Sequence, residues 1–495
     1  MSQTTHCLAL DLGAESGRAM LGTLDGNRIA LEEIHRFPNG PVRLPDGIHW
    51  DVLRLWSEIK AGLALSVKKT SGSLASLGLD TWGVDFALLD SAGALLGNPF
   101  HYRDSRNEGT MAELFRRMPR EQIFEYTGIQ FMPINTLNQL ISMVVRASPQ
   151  LQAAQTFLTV PDLFNYWLSG RMVCERTNAT TTQCFDPRRN AWAAPLIEAM
   201  GIPTRIFPEV IPPGTVLGGL LPDTAEETGA GGIPVIAPAC HDTGSAVAAV
   251  PASNTDFAWI SSGTWSIMGA EVPNPVISPQ ALDFNLTNEG GVAGTWRLSK
   301  NIAGMWLVQQ CRHTWSRQGL ELSYDELTRQ AAAARPFLAV IDPDAPEFLP
   351  HGDMPARIRQ YCARSGQAVP ERPGEVVRVA LEGLALRYRW LLERLDLVLG
   401  RQLEPIHIFG GGSRNGLLNQ FTADATRRTV IAGPVEATAM GNVLMQLVAL
   451  GRLGSIAEGR ELVRGSFTPQ VFEPGPSAAW ENAYRYLCEE ILKNA

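Results

Sequence analysis

Three observations in the sequence predict an α/β protein of two lobes. At 495 residues the chain exceeds one ordinary hydrophobic core, and one domain per ~150 residues allows about two to four. The stretch CLALDLGAESGRAMLGTLDGN, residues 7 to 27, reads as an apolar strand, a turn of glycine and hydroxyl residues, and a second strand. About half a chain later FAWISSGTWSIMGAEV, residues 257 to 272, repeats that device, which suggests a duplicated lobe.

The first turn is expected to be a β-hairpin tip. A phosphate loop of the Rossmann or P-loop kind leads straight into a helix, and here Arg18 to Leu24 spans only about two helical turns. Asp25-Gly26-Asn27 then follows, a strong hairpin signal. In this tip Gly13 and Gly17 let backbone approach a ligand or merely shape the bend, while Ser16 and Arg18 add donors suited to phosphate oxygens. Further on, TFLTVPDLFNYWLSGRM predicts a strand edge and a short amphipathic helix. GIPVIAPACHDTGSAVAAV predicts a buried strand, a polar turn and a helix of small residues, with the Gly/Pro-rich run 229 to 234 as the turn that enters it. The expected lobes are therefore 1–246 and 247–495.

In the second lobe, YDELTRQAAAARPFLAVIDP and GEVVRVALEGLALRYRWLLERLDLVLG carry helical periodicity and are assigned to core helices. PIHIFGGGSRNGLLNQFTADATRRTVIAGP predicts strand, triple glycine, helix and strand, with backbone open to a ligand at the glycines. The dinucleotide fingerprint fails there: counted from Gly410, its third glycine falls on Asn415.

Composition narrows the function. Apolar residues make up 45% and charged residues 19%, a globular balance. The formal charge of −8 arises from 50 acids and 42 bases spread without blocks, so no basic face for nucleic acid or an anionic membrane is visible. A small-molecule partner is expected; the sequence sets no oligomeric state. The first residues lack a basic region and a long apolar region, and no stretch approaches the ~20 apolar residues of a membrane helix, so a cytoplasmic location is expected. Seven cysteines (7, 174, 184, 240, 311, 362 and 488) contain no CxxC pair, which predicts reduced, mostly buried thiols.

No GxSxG, HExxH or GxxxxGK[ST] motif occurs, which excludes the hydrolase elbow, the zincins and the P-loop. Cys240 and His241 are neighbours on a strand, point to opposite faces and so form no nucleophile–base pair. Asp242 stands at the carboxyl end of a buried strand, where open α/β sheets gather ligands. It either caps the helix beginning near Ser245 or accepts a proton in phosphoryl transfer to a hydroxyl.

DLGAESGR, DTWGVDF, YRDSR, the segment from PDLFNYWLSG to TNATTT, CHDTGSA, SSGTWS, KNIAGMWLVQQ and FGGGSRN occur together in this order. Over residues 7 to about 445 the chain thereby resembles the FGGY carbohydrate kinases. The resemblance implies two ribonuclease-H-like lobes of the actin/hexokinase type, with ATP and sugar in the cleft between them, and a reaction dependent on Mg²⁺. DTWGVDF, YRDSR and TNATTTQ are most similar to members acting on L-rhamnulose, implying transfer from ATP to its 1-hydroxyl. Asp242 is then the base; Gly83, His241, Thr243 and Asn301 line the sugar; Ala14, Glu15, Ser16, Gly17, Arg18, Thr264, Gln309 and Gly411 hold ATP; and Asp11 stands near the metal. Glu15 departs from the small polar residue expected there, so its backbone N–H is favoured over its carboxylate. Trp82 and Phe86 either cover a deoxysugar methyl or pack in the core, and Asp104 and Arg106 either bind hydroxyls or pair with each other. The alternatives are a kinase for another ketose such as fuculose or xylulose, or for glycerol, and a non-catalytic actin-like ATP- or sugar-binding protein; neither a basic helix-turn-helix nor residues for a peptide-binding domain are present.

Overall fold

In a computed structural model, residues 4–476 and 478–494 are described. The chain forms two compact units that do not follow a single cut at 246/247. The first comprises the chain up to Ser253 together with Glu271–Leu298 and Ala437–Thr468, and the second comprises Asn254–Ala270, Ser299–Glu436 and the chain from Pro469 onward. The reason is packing. The helix Ala437–Ala449 lies against the strands Thr5–Leu12 and Leu74–Thr81 and the helix Asp242–Ala248, so burial of its apolar face ties it to the first unit.

The first unit is built on a six-stranded sheet in the order Thr215–Gly219, Pro234–Ala237, Leu74–Thr81, Thr5–Leu12, Ser16–Asp25, Arg28–Pro38. Thr5–Leu12 pairs antiparallel with Ser16–Asp25, with Asp11 opposite Arg18, and parallel with Leu74–Thr81, with Asp11 opposite Asp80. The predicted hairpin is therefore present, and the chain turns over at residues 13–15. Leu8, Ala9 and Leu10 are all buried, as expected of a central strand covered on both faces. Ala19 and Gly22, three residues apart and so on opposite faces, meet different helices. A Cβ at Gly62, in Val52–Lys69, would lie 2.7 Å from Ala19 Cβ, and one at Gly22 would lie 2.5 Å from Val443 Cγ2.

In the second unit the strands Trp296–Ala303, Trp265–Val272, Ala258–Ser262, Ile406–Phe409, Val430–Ala432 and Gln470–Phe472 are neighbours in that order. Ala258–Ser262 pairs antiparallel with Trp265–Val272 and parallel with Ile406–Phe409, and Val430–Ala432 then joins in parallel and Gln470–Phe472 antiparallel. The five strands from Trp265–Val272 to Gln470–Phe472 thereby repeat the pairing directions of the first sheet from Ser16–Asp25 to Thr215–Gly219, in accord with the duplication read from the two hairpins. Gly416–Thr426 supplies the helix expected after the triple glycine, and Pro373–Leu399 is the long core helix. The helix Tyr324–Ala333, however, stops well short of the periodic stretch assigned to it, because Pro336 disfavours helix in the residue before it. Among the described residues no helix is long and apolar enough to cross a membrane.

Candidate active site

Two strand ends in the first unit bring carboxylates together. Asp11 is 3% exposed, and Arg18 Nη2 donates to its Oδ2 at 2.9 Å. Asp80, its neighbour across the parallel pair, is fully buried; Asn442 Nδ2 donates to Asp80 Oδ2 at 2.5 Å, while Oδ1 has no hydrogen-bond partner. Burial first, then the charge of Asp11 and, more weakly, that of Asp242, hold the Asp80 carboxyl well above the usual carboxylate range against the Asn442 hydrogen bond. Asp11 and Asp242 thus both lie within electrostatic reach of Asp80.

Asp242 begins the helix Asp242–Ala248, and His241 occupies the N-cap position. The helix therefore starts three residues earlier than the expected start near Ser245. Asp242 Oδ1 accepts from Thr243 N at 2.5 Å and from Thr243 Oγ1 at 3.0 Å, and its side chain is 30% exposed. The loop holding it is fixed from below: Cys240 N donates to Glu175 Oε2 at 2.9 Å and His241 N to Thr177 Oγ1 at 3.1 Å. A Cβ on Gly83 would lie 3.3 Å from His241 Nε2, so Gly83, His241, Thr243 and Asp242 share one locality. On its far side, His241 Nδ1 lies 2.9 Å from Arg297 Nη2, and Arg297 Nη2 lies 3.1 Å from Glu289 Oε2.

The first hairpin tip is closed by Gly13 N to Ser16 O at 3.0 Å and braced by Asn39, whose side chain donates to Gly13 O at 2.8 Å and whose N donates to Glu15 O at 2.9 Å. Glu15 is exposed. Gly17 sits inside the ladder, where a Cβ would fall 2.2 Å from Phe37 Cε2; packing alone accounts for that glycine. Ser16 and Arg18 likewise lie in the strand, with Ala14 at the turn.

The sugar-side segments are largely buried. Trp82 packs 4.0 Å from Trp50, and both indoles donate to Asp85 Oδ2. Phe86 stacks on Phe157. Asp104 accepts from Ile48 N at 2.7 Å and Arg106 N at 2.9 Å, while the Arg106 guanidinium covers Phe100 and donates to Gln139 Oε1. Those two side chains serve the local loop rather than pairing with each other. Cys240 is buried with its Sγ 3.5 Å from Asn165 Nδ2, and burial holds its thiol well above the ordinary range, in accord with an inert thiol.

The second unit carries its own set. The turn of the second hairpin is tied to the helix Trp306–Arg317: Met305 N donates to Gly263 O at 2.9 Å and Trp306 N to Thr264 O at 3.0 Å. Gln309 Nε2 donates to Thr264 Oγ1 at 3.2 Å, which joins two of the residues singled out in the sequence. Asn301 lies on Trp296–Ala303. Gly411 opens a short 3₁₀ turn after Ile406–Phe409, and a Cβ there would meet nothing within 4 Å.

Sequence reasoning did not single out Asp80, Asn442, Glu289 or Arg297. Asp80 stood inside the quoted DTWGVDF, and its place one strand over from Asp11 was the signal available. Nothing local marked Asn442.

Two sheets of like topology, each with a polar hairpin tip, and a partly open aspartate at the start of a helix are the arrangement of an α/β protein of the actin/hexokinase type. The chain belongs to the FGGY family of carbohydrate kinases: residues 6–249 match the family's N-terminal domain and 258–450 its C-terminal domain. It is 45% identical over 476 residues to a rhamnulokinase of Bacteroides thetaiotaomicron, covering 96% of this chain and 97% of that one. To a rhamnulokinase of Enterococcus faecalis it is 40% identical over 473 residues, 95% and 94% of the two chains. The crystal structure of xylulose kinase from Rhodospirillum rubrum shares the fold, with a TM-score of 0.80 at 19% identity over 99% of both chains.

Proposed function

We propose that this chain transfers the γ-phosphoryl group of ATP to the 1-hydroxyl of L-rhamnulose. The observation that carries the reading is Asp242: one carboxylate oxygen is tied to Thr243, the other makes no hydrogen bond among the described residues, and the side chain is partly open beside His241 and Gly83. A carboxylate so placed accepts the hydroxyl proton as the sugar oxygen bonds to phosphorus and ADP leaves with the electron pair of the broken P–O bond. Gly83, His241, Thr243 and Asn301 orient the sugar. Ala14 to Arg18, Thr264, Gln309 and Gly411 hold ATP, with Arg18 matching phosphate oxygens as a fork of donors. The sugar itself is inferred from the two rhamnulokinases that match nearly the whole chain.

The residues present fit Mg²⁺ bound with the nucleotide. Asp80 keeps a buried oxygen without a partner beside Asp11, and Mg²⁺ is usually held by one or two carboxylates plus phosphates and waters. Asp11, with Asp80 next to it, would hold the ion, which when bound neutralises charge on the phosphates.

The test is ADP release coupled to a reporter across a panel of ketoses. A methyl in an apolar pocket discriminates by only ~1–3 kcal/mol, whereas hydroxyl-reading groups reject wrong stereochemistry more strongly. L-Rhamnulose is expected to give the highest kcat/KM, L-fuculose or a ketopentose less, and glycerol almost none. A ketopentose or glycerol ahead of L-rhamnulose would overturn the sugar assignment and leave the kinase assignment standing.

A further inference from the structure

We infer that Arg297 is a positioning residue that fixes the tautomer of His241, so that Nε2 carries the proton and serves as a permanent hydrogen-bond donor to the sugar site. The inference rests on the kinase reading above for its catalytic consequence, and on geometry alone for the tautomer.

A guanidinium has donors and no acceptor. Arg297 Nη2 approaches His241 Nδ1 to 2.9 Å in hydrogen-bonding geometry, so Nδ1 offers its lone pair and the neutral ring keeps its hydrogen on Nε2. The competing arrangement is a proton on Nδ1 aimed at Glu289 Oε2, 3.3 Å away. It would give Glu289 Oε2, a buried oxygen without a hydrogen bond, a donor, but it sets two N–H donors against each other across 2.9 Å, and the Arg297 Nη2 cation already faces that oxygen at 3.1 Å. Arg297 cannot swing aside. It is 0% exposed, its Nε donates to Gly290 O at 2.9 Å, and Glu289 Oε2 stands 3.1 Å from Nη2.

The charged groups around the imidazole are Asp242 on its own helix, Glu289 and Arg297 on the two strands beside it, and, acting on Arg297, Glu175 and Glu271. Burial pushes the Arg297 value down, and Glu289, Asp242, Glu175 and Glu271 oppose that. A guanidinium is not deprotonated in proteins, so Arg297 continues to present donors only to Nδ1. Nε2 then lies 3.4 Å from Asp242 Oδ1 and 3.3 Å from the position a Cβ on Gly83 would take, so its N–H faces the locality assigned to the sugar. A histidine held in this form donates and does not accept. Asp242 is left as the proton acceptor.

The experiment is a two-bond ¹⁵N–¹H correlation spectrum of protein labelled with ¹⁵N-histidine. The chain has eight histidines, and the signals missing in His241→Gln identify the one in question. The expected result is an unprotonated Nδ1 and a protonated Nε2; the reverse pattern, or a doubly protonated ring at neutral pH, overturns the inference whether or not the protein phosphorylates L-rhamnulose. For the catalytic consequence, Arg297→Met is expected to lower kcat/KM for the sugar about 10- to 100-fold, the scale of one lost hydrogen bond to a charged group, with the KM for ATP unchanged. Arg297→Lys, again a donor only, is expected to recover part of the loss. In the His241→Gln background, whose amide has no tautomer to set, Arg297→Met is expected to cost little more. An equal loss in both backgrounds makes Arg297 a general prop of the fold and overturns the positioning role. Should Arg297→Met not fold, the spectrum of the unmutated protein still decides the tautomer.

Discussion

Asp242 sits in the first turn of a seven-residue helix, where its carboxylate also meets the positive end of the helix dipole. Position alone would make it a terminus-stabilising residue. What separates it from one is the second carboxylate oxygen, which no group of the helix engages. Asp242→Asn is therefore expected to keep ATP affinity, measured by calorimetric titration, while kcat falls about 10²–10⁴-fold, the usual contribution of a positioned base. A kcat near that of the unmutated enzyme would return Asp242 to the terminus role. Asp80 differs from it in environment rather than chemistry: fully buried and beside Asp11, its carboxyl is disfavoured as an anion, whereas Asp242 is partly open.

At the scale of elements, the second hairpin and the helix that follows it act together through Thr264 and Gln309. Thr264→Val removes a hydroxyl assigned to the phosphate side and leaves the sugar groups in place. The KM for ATP is expected to rise well beyond that for sugar; equal rises would detach the second hairpin from the nucleotide. Helix packing makes a sharper demand. A Cβ on Gly441 would lie 1.7 Å from Ser245 O, where Ala437–Ala449 crosses Asp242–Ala248. Gly441→Ala forces those helices apart, and overpacking of this kind costs about 1–3 kcal/mol. Calorimetry should record a lower Tm, together with weaker activity because the Asp242 helix moves. An unchanged Tm would mean the crossing relaxes freely.

For the whole molecule, buried carboxyls set a pH dependence. Burial pushes Asp85 up to about 6, Glu382 to about 7 and Asp162 to about 8, in each case against hydrogen bonds that favour the anion. A carboxyl raised in the native state holds its proton longer folded than unfolded. Its contribution to stability is complete below the ordinary carboxylate range and disappears as pH rises through the folded value. Thermal stability is thus expected to decline as pH rises from the ordinary carboxylate range, about 4, to about 8, and Asp162→Asn to flatten the upper part of that decline. Stability that rises through this window would show that other groups dominate. All seven cysteines are free thiols, six of them buried, so reductant should not alter the result.

The hairpin tips, the glycine-rich turn and the buried strand Pro234–Ala237 that leads to Asp242 were legible in the sequence because each is a local device: turn residues, alternation and length suffice to specify it. The ordered motifs also disclosed the family, since together they fix chemistry as well as pattern. Tertiary structure alone decided the rest. Asn442 reaches Asp80 across 362 positions of chain, and Arg297 meets His241 across 56. The partners of Trp82, Phe86, Asp104 and Arg106 likewise come from distant segments that no local pattern specifies. The same holds for the boundary: Ala437–Thr468 belongs with strands that precede it by hundreds of residues. Periodicity reports which face of an element is apolar; which distant surface covers it is settled only when the folded chain buries the two together.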